Sequence, residues 1–201
     1  MRKRIRNFKY LDMKRKLTLF LAILGWIAVM LQFYLMMENR TVSKLESIIR
    51  FFSYFTILSN LILAISFSVQ TFQKETIKIL TPVTVYITIV GLVYQILLRH
   101  TWSPTGLQRI VDESLHSVIP LVAIVYWFLF ECRKLRYNQI PKWLIFPLAY
   151  LIYILIRGSY SGFYPYPFVD VNQVLINSGF MLIGFVVVSA LLVWIRRLRI
   201  K

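Results

Sequence analysis

The 201-residue chain holds one cysteine, two histidines and eight acidic residues, and only 16% of it is charged. Each scarcity excludes something. Cys132 stands alone, so there is no intrachain disulfide and no cysteine metal cluster. It reads as a passive thiol near a helix end, and nothing calls for a metal or a cofactor. The low charge excludes an ordinary soluble domain, in which about a quarter of residues are charged. No low-complexity tract or internal repeat breaks the chain.

What is abundant is apolar. The chain is 58% hydrophobic, with a mean hydropathy of +0.65, and its charges fall in short clusters between long apolar runs. That pattern describes a polytopic membrane protein with one compact bundle. The net charge of +16 does not signal nucleic acid, because the basic residues flank apolar spans, where cytoplasmic retention and anionic lipid explain them. The opening MRKRIRNFKYLDMKRK and the run after it resemble a signal peptide. However, Leu17 to Met37 exceeds the roughly 7–15 residues of a signal core, and no small-x-small site precedes Glu38. It reads as a retained first span. Asn39-Arg40-Thr41 forms a glycosylation sequon, relevant only in a eukaryotic secretory pathway.

Six segments have the roughly 20 residues needed to cross a bilayer: 17–37, 51–70, 79–98, 110–130, 143–157 and 171–195. The expected fold is all-α, a six-helix up-and-down bundle over 17–195, with a basic N-terminus (1–16) and a basic tail (196–201). With the N-terminus inside, 18 lysines and arginines fall on the inner side. Six fall outside: Arg40, Lys44, Arg50, Arg99, Arg109 and Arg157. The bias predicts that both termini are cytoplasmic.

Two polar residues interrupt these spans, Thr56 in the second and His116 in the fourth. Thr56 follows Arg50 by six residues and His116 follows Arg109 by seven, so at 1.5 Å per residue both lie about 10 Å below the outer edge. A titratable group in a membrane points to function, and a hydroxyl at matching depth suggests a nucleophile and its base. Ser53, Thr56 and Asn60, at i, i+3 and i+7, predict one shared helical face. Asp112 and Glu113 precede His116 by four and three residues, within reach of the ring. Thr56 as nucleophile, His116 as base, Asp112 as orienting carboxylate and the Asn60 amide as oxyanion donor would fill the roles of acyl transfer. Pro120 cannot bond the His116 carbonyl and predicts a bend there, with that carbonyl free for water or substrate.

Simpler roles compete: a self-bonding threonine, Asn60 as interhelical glue, and Asp112 and Glu113 as solvated first-turn acids. His100 reads as a surface residue. In SYSGFYPYPFVD, Pro165 and Pro167 extend the chain, so that Tyr164 and Tyr166 form either a lid or an interfacial belt. Asp170 with Gln173 reads as a helix cap.

YFTILSNL around Thr56, LHSVIPL around His116 and RGSYSGFYPYPFVD, in this order, resemble the androgen-induced-gene family of small multispan proteins, especially its bacterial branch. The resemblance covers about residues 17–195. It implies a threonine hydrolase, since eukaryotic members cleave fatty-acid esters of hydroxy fatty acids, with Thr56 and His116 in the family's nucleophile and histidine positions. The expected substrate is a lipid-like acyl ester near the outer leaflet. The alternatives are a membrane scaffold and a non-enzymatic small-solute transporter or binding subunit. A transporter would call for paired, interrupted helices and a midplane site, whereas here the polar pair lies near one face with no paired pattern of breaks.

Overall fold

The computed structural model describes residues 2–73, 76–101, 103–166 and 174–200, with side chains described for all of these except 2–10 and 174–176. Lys74, Trp102, Pro167 and the Asp170–Gln173 cap lie outside the described residues. All regular structure among the described residues is helical. In chain order the helices are α1 (Arg2–Glu38), α2 (Lys44–Phe51), α3 (Phe55–Thr71), α4 (Leu80–Val93), α5 (Gly106–Glu113), α6 (Ile119–Phe130), α7 (Ile140–Trp143), α8 (Ile145–Ser161) and α9 (Val174–Leu198). A π-helical turn, Tyr94–Leu98, extends α4, and a second, Ser114–Val118, joins α5 to α6.

Five stretches are long and apolar enough to cross a membrane: Leu11–Glu38, Leu80–Leu98, Gly106–Phe130, Tyr137–Ser161 and Asn177–Leu198. This is the architecture of a multi-pass membrane protein. Large apolar side chains face outward along α1 (Ile23, Ile27, Met30), α8 (Ile145, Ile152, Ile156) and α9 (Phe180, Ile183, Val187). Water would penalise such a surface, whereas lipid tails accept it. Small residues bring helices together where burial of apolar area no longer drives packing. A side chain on Gly25 of α1 would meet the Ala64 Cβ of α3 at 3.0 Å, so anything larger than glycine would press the two helices apart by a few tenths of an ångström.

The second expected span departs from the prediction. Residues 51–70 do not form one straight helix: α2 and α3 meet at a 70° bend. No proline or glycine causes it. Tyr54 is extended (φ −84°, ψ 124°) and caps α3. The Ser53 hydroxyl donates to the Ile49 carbonyl at 2.7 Å, and the Tyr150 hydroxyl donates to the Ser53 carbonyl at 2.8 Å, so groups outside the helix satisfy its freed backbone. The helix also continues unbroken across residue 16, carrying the basic N-terminus as an extension of α1.

Both chain ends gather at one end of the bundle, the terminal end. Lys14 donates to Thr76, whose hydroxyl donates to the Phe130 carbonyl, and the Arg196 guanidinium donates to the Cys132 and Arg133 carbonyls. Just past α6, Glu131 is 2% exposed. Its carboxylate accepts bonds from the Thr81 hydroxyl (2.7 Å), the Arg133 amide (3.0 Å) and the Arg133 guanidinium (2.9 and 2.5 Å). Burial opposes its ionisation, but the Arg133 guanidinium, the Thr81 hydroxyl and the Arg133 amide outweigh that and hold its carboxyl below the usual value. The Trp127 indole donates to Thr81 at 3.0 Å and completes the network.

Candidate functional site

At the opposite end, the helix break places Thr56 in the first turn of α3, where backbone N–H groups lack partners within the helix. Its amide points to the Tyr166 hydroxyl at 3.3 Å, and its side-chain oxygen lies 3.4 Å from the same atom. Tyr166, from the loop after α8, therefore caps both polar groups of Thr56. The Tyr164 ring lies where a side chain on Gly158 would stand.

His116 sits in the second π turn. Proline at 120 cannot donate to residue 116, and here the Ile119 amide bonds the Ser114 carbonyl in a π turn. The His116 carbonyl expected to be free for water or substrate lies against α4, since a Cβ on Gly91 would stand 3.3 Å from it and 3.0 Å from the Pro120 Cβ. The two π turns are cross-linked. Tyr94 stacks on the imidazole, with centroids 4.4 Å apart and planes 15° apart, and Gln95 donates to Ser117 at 2.8 Å.

The His116 ring has a defined polarity. Nδ1 faces two acceptors, the Asp112 carbonyl at 2.9 Å and the Asp112 carboxylate at 3.2 Å. These partners assign the proton of the neutral ring to Nδ1 and leave the Nε2 lone pair without a hydrogen-bond partner among the described residues. Tyr94 donates to the other Asp112 oxygen at 2.5 Å and so fixes the carboxylate in turn. Of the two acids in reach by spacing, only Asp112 serves the ring; Glu113 pairs with Arg99 at 2.7 Å and accepts from Ser117 at 2.6 Å.

Thr56 and His116 line one cavity of about 220 Å³ between α3, α4, α8 and α9. Tyr150, Tyr166, Asn177 and Ser178 add polar edges to a wall otherwise built from residues such as Phe55, Val90, Val93, Pro147, Leu151 and Phe185. No hydrogen bond joins Thr56 to His116; the Thr56 hydroxyl is held by Tyr166. Spans two and four are nonetheless neighbours, since the Asn60 amide donates to the Thr56 carbonyl at 2.9 Å and the Leu115 carbonyl at 3.4 Å. Those bonds use both of its protons, so Asn60 joins the helices and leaves no donor for an oxyanion. Ser53 lies beyond the bend, outside the helix that carries Thr56 and Asn60, and pairs with the Tyr153 hydroxyl at 3.1 Å. The predicted three-residue face therefore reduces to Thr56 and Asn60. His100 is exposed.

Tyr94, Tyr150 and Gly91 were not among the predicted site residues. Within LVYQILL, Tyr94 reads as one more apolar position, and its relation to His116 exists only once the two π turns pack. Among the described residues no group of three or more histidines, cysteines and acids could hold a metal ion. No family model, no curated protein and no solved structure matches this chain.

Proposed function

We propose that the protein is a hydrolase of lipid-like acyl esters, as the family resemblance also implies, embedded in the cell membrane with six spans, both termini cytoplasmic and the site toward the outer leaflet. The observation that carries this reading is the shared cavity: a threonine and a histidine with a committed tautomer border one apolar pocket. His116 Nε2 takes the proton of the Thr56 hydroxyl as its oxygen attacks the ester carbonyl. The tetrahedral intermediate collapses, the alcohol leaves with that proton, and the acyl group stays on Thr56. Water, deprotonated by the same nitrogen, then releases the fatty acid and restores the hydroxyl. The Thr56 amide, at the positive end of α3, suits the developing oxyanion once the ester oxygen displaces the Tyr166 hydroxyl. Asp112, held by Tyr94, orients the imidazole.

The apolar wall suits an acyl chain better than a small polar solute, which weighs against transport. The test is release of free fatty acid from an ester in liposomes, with wild type, Thr56→Ala and Thr56→Ser compared. Turnover should vanish in the first variant and persist in part in the second, which keeps a hydroxyl; full activity of Thr56→Ala would sink the reading. Topology has its own check. Reporter fusions after Arg136 and at the C-terminus should be cytoplasmic, and those near Arg40 and Tyr164 external.

A further inference from the structure

Near the site end of the bundle, two guanidiniums share one carboxylate. Arg50 Nε donates to Glu46 Oε1 at 2.7 Å, and Arg157 Nη2 donates to the same oxygen at 2.8 Å. Both cations lie over the ring of Phe163, at 4.4 and 4.9 Å from its centroid. The Arg157 side chain is only 10% exposed, and its Nη1 is buried with no hydrogen-bond partner among the described residues. One carboxylate balances one of the two positive charges. A buried charged donor left unmade is costly, and a native structure that keeps one needs a reason.

The cluster adjoins the cavity. Ile154, one turn before Arg157 on α8, belongs to the cavity wall, and one turn is about 5 Å of rise. Phe163 packs edge-on against Tyr54, at 6.2 Å, and Tyr54 against Tyr166, at 5.9 Å, so one aromatic row runs from the guanidiniums to the cap over Thr56. Gly162, in the left-handed region at φ +67°, precedes Phe163 and lets the chain turn sharply there.

We propose that Arg157 and Arg50 form an anion subsite that holds the carboxylate or phosphate end of the amphiphile whose acyl chain fills the cavity. This rests on reading the cavity as a lipid site. The anion replaces the Phe163 ring over the guanidiniums, satisfies Arg157 Nη1 and neutralises the surplus charge. A planar guanidinium suits both anion types because its paired N–H groups match two oxygens. The ester to be cleaved then lies along the chain, at a distance from the anionic end set by the separation of this cluster from Thr56.

Binding to the purified full chain in a neutral detergent tests the subsite without requiring turnover. The probes are a long-chain fatty acid, its methyl ester and inorganic phosphate, read by tryptophan fluorescence. The fatty acid should bind about tenfold or more tightly than the methyl ester. Arg157→Gln should close that gap, and Glu46→Gln, which frees both cations from their internal partner, should widen it. Equal binding of acid and methyl ester would overturn the subsite, as would a gap that survives Arg157→Gln or shrinks in Glu46→Gln. Inorganic phosphate binding as well as the fatty acid would overturn its assignment to a lipid. Because the readout is binding, a chain that cleaves no ester still passes or fails this test separately.

Discussion

The two ends of the bundle solve the burial of polar groups in opposite ways. At the terminal end, Glu131 has every oxygen engaged, and Thr81, Trp127, Arg133 and Arg196 tie α4, α6 and α9 together through short bonds. At the site end the helices are irregular: α2 and α3 break at 70°, two π turns face each other, and a cavity opens between α3, α4, α8 and α9. Asn60 Oδ1 and Arg157 Nη1 are buried there without partners among the described residues. A satisfied network rigidifies, whereas broken helices, an unmet acceptor and an unmet donor leave polar groups that a ligand can engage. On the proposed reading, the terminal end holds the fold and the site end carries the chemistry.

Substitutions can break that division, beginning with the largest effect. Thr56→Ala or His116→Ala should lower ester turnover by at least about 10²–10⁴-fold, in protein that remains folded by its size-exclusion profile. The double variant should be scarcely worse, because residues acting as one unit lose their contribution together. At the other end, Glu131→Ala should cost about 2–3 kcal/mol by stranding the buried donors around it, seen in denaturant unfolding, with KM and kcat intact in the remaining folded protein. A lost kcat at full stability would show that the ends are not separate. Between the two stands Gly91→Ala, whose Cβ meets the Pro120 Cβ at 3.0 Å and the His116 carbonyl at 3.3 Å. Overpacking of this kind costs about 1–3 kcal/mol, and here it should also displace the imidazole, so activity should fall further than stability.

The smallest effect is on pH. Glu131 has a folded pKa below its ordinary 4.5. Its contribution to stability is therefore complete above that value and is lost as pH falls through the folded value. Unfolding midpoints measured across the acid range should show this limb, and Glu131→Gln should flatten it.

Much of this division can be read in the sequence, but not its sharpest parts. The apolar runs announce the helices, and the i, i+4 spacing of Asp112 and His116 survives the π turn between them. Thr56 and His116 stand out because hydroxyl and imidazole are rare deep in apolar runs. The break before Thr56 is illegible because nothing local makes it: FFSYFT has no proline or glycine, and the Tyr150 hydroxyl that supports it lies 97 residues away. Asn60 reads equally well as donor or as glue until Leu115 comes within reach. Tyr94 is hidden among apolar neighbours for the same reason, since its work depends on the packing of two turns. Arg157 looks like any cation at a span end, and only the sharing of Glu46 with Arg50 exposes its surplus charge.

The most direct test of the central claim is covalent. Purified protein treated with an acyl-directed fluorophosphonate, then digested and mapped by mass spectrometry, should carry its adduct on Thr56. Labelling should be absent in Thr56→Ala and strongly slowed in His116→Ala. An adduct elsewhere that persists in Thr56→Ala, or a folded wild type that takes no label, would contradict the account.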